Sequence, residues 1–127
     1  MKTATSANVD LVLPTEKKYA HVLRLAVAGI ASRLQFNWEQ VEDIKLAAEE
    51  AFLLVLKAGQ ATQAHVTFKI GTNELKIIFV DANLGVFNIK SYQQKYSFFI
   101  MTGLMDNVDI VPRNETHFDL KLSKKIY

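Results

Sequence analysis

The chain has 127 residues, half of them hydrophobic and 22% charged, which suits one globular domain and excludes a disordered or fibrous protein. Fifteen basic against thirteen acidic residues leave a net charge of +2, too small for an electrostatic footprint on nucleic acid or an anionic membrane. With no cysteine there is no disulfide, thiol nucleophile or Cys-based zinc site, and His21, His65 and His117 show no ligand spacing. No basic start followed by an apolar run and a small-residue cleavage site marks a secretory signal. The longest apolar run, Ala51 to Leu56, is far short of the roughly 18 residues of a membrane span, so the expected compartment is the cytoplasm.

No repeat, low-complexity stretch or Gly/Pro-rich linker divides the chain, so residues 1–127 read as one domain. Val9 to Leu13 reads as a first strand, stopped by Pro14, which cannot donate to a ladder. Thr15 is the expected N-cap of a helix from about Glu16 to Leu34, with Glu16 at the positive end of its dipole. Tyr19, Val22, Leu23, Ala26, Val27, Ile30 and Leu34 recur at three- and four-residue intervals as one apolar stripe.

Asn37 and Gln40 form a capping-box pair, which predicts a second helix from Trp38 to Ala58, ended by Gly59. Its first half is amphipathic, with Val41, Ile44 and Ala48 on one side. Its second half, Ala51 to Leu56, is apolar all round and is expected to be covered on most sides. Strands at His65–Ile70 and Leu75–Asp81 follow, joined by a turn at Gly71-Thr72-Asn73-Glu74. Asn83 to Lys90 reads as a loop. Ser91 to about Asn107 reads as a helix with Phe98, Met101, Leu104, Met105 and Val108 on one face. A last hairpin pairs Val108–Val111 with Thr116–Leu122 around Pro112-Arg113-Asn114-Glu115. The order β-α-α-β-β-α-β-β predicts a two-layer α/β sandwich, its helices on one face of a mostly antiparallel, mixed sheet.

One stretch carries a family resemblance. Pro14, Tyr19, Arg24-Leu25, Gly29-Ile30-Ala31-Ser32-Arg33, Glu42-Asp43-Ile44-Lys45, Ala47 and Glu50-Ala51 stand in a recognisable order and spacing. They resemble the bacterial anti-sigma factors that double as serine-protein kinases, within the GHKL ATPase superfamily and its Bergerat fold. Met101 and Leu104-Met105-Asp106-Asn107-Val108 resemble the end of that family's last helix.

The resemblance implies an ATP site whose parts are checked here one by one. In active relatives a helix-2 glutamate helps to activate the attacking group, and an asparagine four residues on ligates Mg²⁺. Glu50 matches the glutamate, but the asparagine position is Leu54, which offers no hard oxygen ligand. Read by itself, Glu50 is a solvated helix residue beside Glu49. The adenine-binding Asp-x-Gly motif has no counterpart at Asp81, which lies four residues from Gly85. Asn83-Leu84-Gly85 has the spacing with an amide in place of the carboxylate, and equally fits a turn made of residues that tolerate positive φ. The phosphate lid's glycines are missing from Gln93-Gln94-Lys95-Tyr96-Ser97-Phe98-Phe99, where Lys95 is the single cation.

Losing metal ligand and phosphate cradle together removes the positioning and electrostatics on which phosphoryl transfer depends. The expected reading is a degenerate member: an anti-sigma-factor-like regulator without ATP turnover, with no cofactor. Glu50, Leu54, Asn83 and Gly85 are then a vestigial nucleotide site. The alternative is an active ATP-dependent serine-protein kinase with an atypical Mg²⁺·ATP site drawing on Glu49, Glu50 or Asp81. The resemblance implies a sigma factor or an anti-sigma antagonist as partner and a homodimer formed through the sheet side, with no nucleic acid or membrane. Arg24 matches an arginine that relatives use for those partners, and its head is expected to reach solvent; Arg33 and Lys45 are weaker candidates.

Overall fold

The structure is a computed structural model that describes residues 7–59, 61–85 and 92–126, with side chains of 92–94 left aside. In chain order it runs β1 (Ala7–Pro14), a 3-10 turn (Lys17–Tyr19), α1 (Ala20–Ala31), α2 (Trp38–Ala58), β2 (Gln63–Ile70), β3 (Glu74–Asn83), α3 (Tyr92–Leu104), β4 (Asn107–Pro112) and β5 (His117–Lys125). The order of helices and strands is the expected one. The five strands lie in the order β1-β2-β3-β5-β4, and every ladder is antiparallel, so the sheet is not mixed.

Alternation fixes which face of the sheet is core. Leu11 and Leu13, Ala64, Val66 and Phe68, Leu75, Ile77 and Phe79, and Phe118, Leu120 and Leu122 point to the helices and pack into one cluster. The residues between them, including Asp10, Val12, His65, Lys69, Lys76 and Lys121, form the other face, which no described helix covers. α2 packs against both α1 and α3 and reaches β3 and β5.

Several boundaries differ from the expected ones for identifiable reasons. β1 runs on through Pro14, which pairs with Gln63; β1 is an edge strand, where a missing N–H costs little. Thr15 does not cap a helix, because its hydroxyl donates to the Ala61 carbonyl and ties the end of β1 to the entry of β2. The chain therefore passes through the 3-10 turn before α1 starts at Ala20. At its other end α1 stops at Ala31, and the bonds Arg33 N–H to Ile30 and Leu34 N–H to Ala31 tighten the last turn away from α geometry.

α2 starts and stops where its sequence says. Asn37 Oδ1 accepts from the Gln40 N–H at 2.8 Å, Gln40 Oε1 accepts from the Asn37 N–H at 2.9 Å, and Gly59 closes the helix at φ +65°. α3 is shorter than the Ser91–Asn107 expectation. It ends at Leu104, whose carbonyl accepts from Lys124 Nζ at 2.6 Å, a cation at the negative end of a helix. Met101 and Met105 are buried and Leu104 partly so, but Val108 belongs to β4.

β3 carries an irregularity between Phe79 and Ala82, where Asp81 takes the left-handed conformation at φ +52°. Such a backbone is uncommon for a residue with a Cβ and needs holding. The Asp81 N–H donates to Asp119 Oδ1 at 2.8 Å, and Arg113 Nε donates to the same oxygen at 2.8 Å. Burial pushes the Asp119 carboxyl up. The Arg113 hydrogen bond, the Asp81 N–H and the charges of Arg113 and Lys121 outweigh that and hold it below the usual carboxylate range.

With its folded-state pKa below the unfolded value, Asp119 contributes stability that is complete above about pH 4 and fades as pH falls through the folded value. Asp119→Asn is expected to lower the melting midpoint by roughly 2–4 °C at neutral pH. The gap between variant and parent is expected to close on acidification below about pH 4, as read by melts across the acid range.

Candidate functional site

Helix α2 carries the residues that the family resemblance singles out, and the structure sends them to different places. Leu54 is core. It is 3% exposed, beside Ala51, Phe52 and Val55, which are buried on the same helix; Leu53 is only partly covered. The small cavity beyond Val55, lined also by Ala64, His65, Phe79, Asp81 and Ala82, measures about 20 Å³, room for one water.

Glu50 is not a solvated carboxylate. Its Oε2 accepts from Ser97 Oγ at 2.7 Å, and Ser97, on α3, is 1% exposed. The bond satisfies a buried hydroxyl and ties α3 to α2 at the position where active relatives keep a glutamate for the attacking group. Ser97 is the residue that sequence reasoning missed. Its signal was its place on the α3 stripe, four residues before Met101 and eight before Met105, where a lone polar side chain needs a partner.

Asn83 and Gly85 form a local turn. The Gly85 N–H donates to Asn83 Oδ1 at 3.0 Å, and Gly85 sits at φ +69°. The amide oxygen that was the candidate for an adenine contact is thus engaged by the backbone two residues on. Asp81 lies on the open side of the sheet, in a groove with Val12, Gln63, His65, Val80 and Arg113. The lid stretch lies partly outside the described residues, which resume at 92; from there it is α3, with Lys95 and Tyr96 exposed. Among the described residues no group of three or more His, Asp or Glu side chains gathers to hold a metal ion. Leu54 offers no oxygen to a metal ion, while Glu50 keeps acceptor capacity beyond its bond to Ser97.

Arg24 also differs from expectation. Its head does not simply reach solvent: Nη1 pairs with Glu49 Oε1 on α2 at 2.7 Å, and Nη2 lies 3.3 Å from His21 Nδ1. About a third of each side chain in the ion pair remains exposed. Lys45 is engaged by Glu42 at 3.0 Å, while Arg33 is exposed on the turn after α1. No local pattern in the sequence announces the Arg24–Glu49 contact, since it arises from the antiparallel packing of α1 on α2.

The strands and helices form a two-layer α/β sandwich in which the residues singled out by the resemblance lie on α1, α2 and around the end of β3. No protein-family model matches the sequence. The serine-protein kinase RsbW of Bacillus pumilus is 29% identical over 92 residues, which cover 68% of this chain and 56% of that protein. RsbW of Oceanobacillus iheyensis is 23% identical over 139 residues, covering 93% and 86% respectively. A crystallised Mycobacterium tuberculosis chain with RsbU and RsbW domains superposes with a TM-score of 0.67 at 13% identity, over 94% of this chain and 32% of that one. The chain is similar to RsbW serine-protein kinases, and the match spans little more than half the length of the first of them.

Leu54→Asn, which introduces the side chain that the resemblance assigns to metal binding, is expected to cost about 2–4 kcal/mol, because an amide enters apolar surroundings and packing is lost. It is not expected to restore kinase activity. A denaturant melt with no change would mean that this side of α2 is wet.

Proposed function

We propose that the chain is an anti-sigma-factor-like regulatory protein that binds a sigma factor or an anti-sigma antagonist in the cytoplasm and does not turn over ATP. The observation that carries this reading is Leu54, buried in the core one helical turn from Glu50, where a metal-binding chain needs an oxygen. Similarity to RsbW proteins supports the kind of partner. The filled space around Phe52, Leu54 and Val55 supports a scaffold kept for its surface.

Arg24 is the proposed contact for an acidic group on the partner. Held by Glu49 and partly exposed, its guanidinium keeps donors free for a second carboxylate, since Arg carries five. We also place a homodimer on the open sheet face. Lys69 and Lys76 stand directly opposite each other at one end of that face, and Asp10, Asp81 and Asp119 lie toward the other. Two copies related by a twofold axis bring unlike charges together and relieve the lysine pair.

Two measurements test the reading. ATP·Mg²⁺ at millimolar concentration is expected to leave the melting temperature unchanged; a ligand at 100 times its Kd adds about 2.7 kcal/mol, which is easily seen. Sub-millimolar affinity by calorimetry would point instead to the active kinase. Arg24→Ala is expected to weaken sigma-factor or antagonist binding about thirtyfold. The melt should move by less than about 1 kcal/mol, because the pair it breaks is partly solvated. Unchanged affinity removes Arg24 from the interface.

A further inference from the structure

The outer side of α2 carries a pattern that neither the core nor the nucleotide question accounts for. Leu46 and Leu53 are seven residues apart and fall on one line along the helix, opposite the buried Ile44, Ala47, Ala48 and Ala51. Helical spacing puts Glu42 and Glu49 along one side of that line and Glu39 and Glu50 along the other. The neighbouring helices extend the apolar surface at the same level. Arg24 of α1 reaches Glu49 and Ser97 of α3 reaches Glu50, so one level of α2 is marked on both sides. Leu25 follows Arg24, and Phe99 stands two residues beyond Ser97. Leu25 is 59% exposed, Leu46 53% and Phe99 74%, with Val22 and Tyr96 exposed one turn along.

Exposed leucine or phenylalanine in isolation is ordinary; several of them converging at one level of three adjacent helices is a binding surface. Its chemistry selects the occupant. A leucine line with seven-residue spacing is the seam of helix-on-helix packing, and glutamates on both flanks favour a helix whose own apolar stripe is bordered by lysine and arginine. Lys45 pairs with Glu42 and Arg24 with Glu49, while Glu39 has no basic neighbour within ion-pair distance among the described residues.

We propose that this face of the helix layer seats a basic amphipathic helix of a partner protein, with Leu46 and Leu53 as the floor and Leu25 and Phe99 as the rims. The proposal rests on the partner-binding reading above and names the surface and the partner's chemistry. Arg24 then sits on one rim, with Glu49 aiming it.

The test uses synthetic peptides of about 18 residues, long enough to fold on the surface. One is a leucine–lysine peptide with apolar residues at i, i+3, i+4 and i+7. The second has the same composition in scrambled order, and the third replaces every lysine by glutamate. Each is titrated into the isotopically labelled protein and followed by backbone amide shifts. The expected result is saturable binding of the first peptide alone, with shifts concentrated around 22–25, 46–53 and 96–99. Leu46→Glu is expected to weaken it at least about tenfold and Phe99→Ser several-fold; both positions are exposed, so both variants should keep the parent melt. Equal binding by the scrambled or acidic peptide, shifts on the open sheet face, or unchanged affinity in both variants overturns the proposal. So does a sigma factor that binds the parent and Leu46→Glu equally well, an outcome that leaves the regulatory reading standing. Should the leucine–lysine peptide bind the parent and be lost from Leu46→Glu while no sigma factor or antagonist binds the parent, the seat stands and the regulatory reading falls.

Discussion

Everything in this fold leans on α2. Ala47, Ala48 and Ala51 have no accessible surface, and their small side chains let the helix lie close to its neighbours while Ile44, Phe52, Leu54 and Val55 fill the space around it. Burying a leucine or phenylalanine completely is worth about 1.5–3 kcal/mol, so the second half of this helix is among the larger contributors to a marginal total. The same stretch cannot be both core and the wall of a wet, metal-holding pocket. That conflict supports the proposed reading of the site.

The two consecutive glutamates show how the consequence spreads. Glu49 and Glu50 point to opposite sides of α2, one to Arg24 on α1 and the other to Ser97 on α3. Each carboxylate acts as a strut between helices. An exposed ion pair contributes little, but the Ser97 hydroxyl is buried, and without Glu50 it would lose its hydrogen-bond partner. Carboxylates held in this way fix the level of three helices with respect to one another, and the exposed Leu25, Leu46 and Phe99 are brought to that level as a result.

Local chemistry was legible in the sequence, and long-range chemistry was not. Asn37 with Gln40 and Gly59 delimit α2 to the residue, because a capping box and a left-handed glycine are decided within a few positions. The burial of Leu54 followed from an apolar run with no polar face. Thr15 was misread because its hydroxyl has a distant partner, Ala61, that outcompetes the helix N-terminus. The ends of α1 and α3 were misplaced where tight turns or the Lys124 amine terminate a pattern that periodicity alone would continue. The strained Asp81 is invisible to spacing rules, since it depends on Asp119 and Arg113 from a hairpin more than thirty residues away. At the candidate site, Glu50 and Arg24 were found by resemblance, while Ser97 and Glu49, which decide what those two can do, come only from helix packing.

The proposed lack of ATP turnover also constrains how such a protein can be regulated. A ligand shifts a protein between partners only by the difference in its affinity for the two states, and reciprocity requires that each partner in turn change the ligand's affinity. On the proposed reading, with Phe52, Leu54 and Val55 buried in the core, no nucleotide supplies that difference. On the proposed reading the exchange between a sigma factor and an antagonist is then set by direct competition for the helix surface, so relative concentrations and affinities of the two partners replace the phosphorylation state as the control. Competition of this kind needs overlapping footprints, and on the proposed reading Arg24, Leu25, Leu46 and Phe99 are the surface the two partners share.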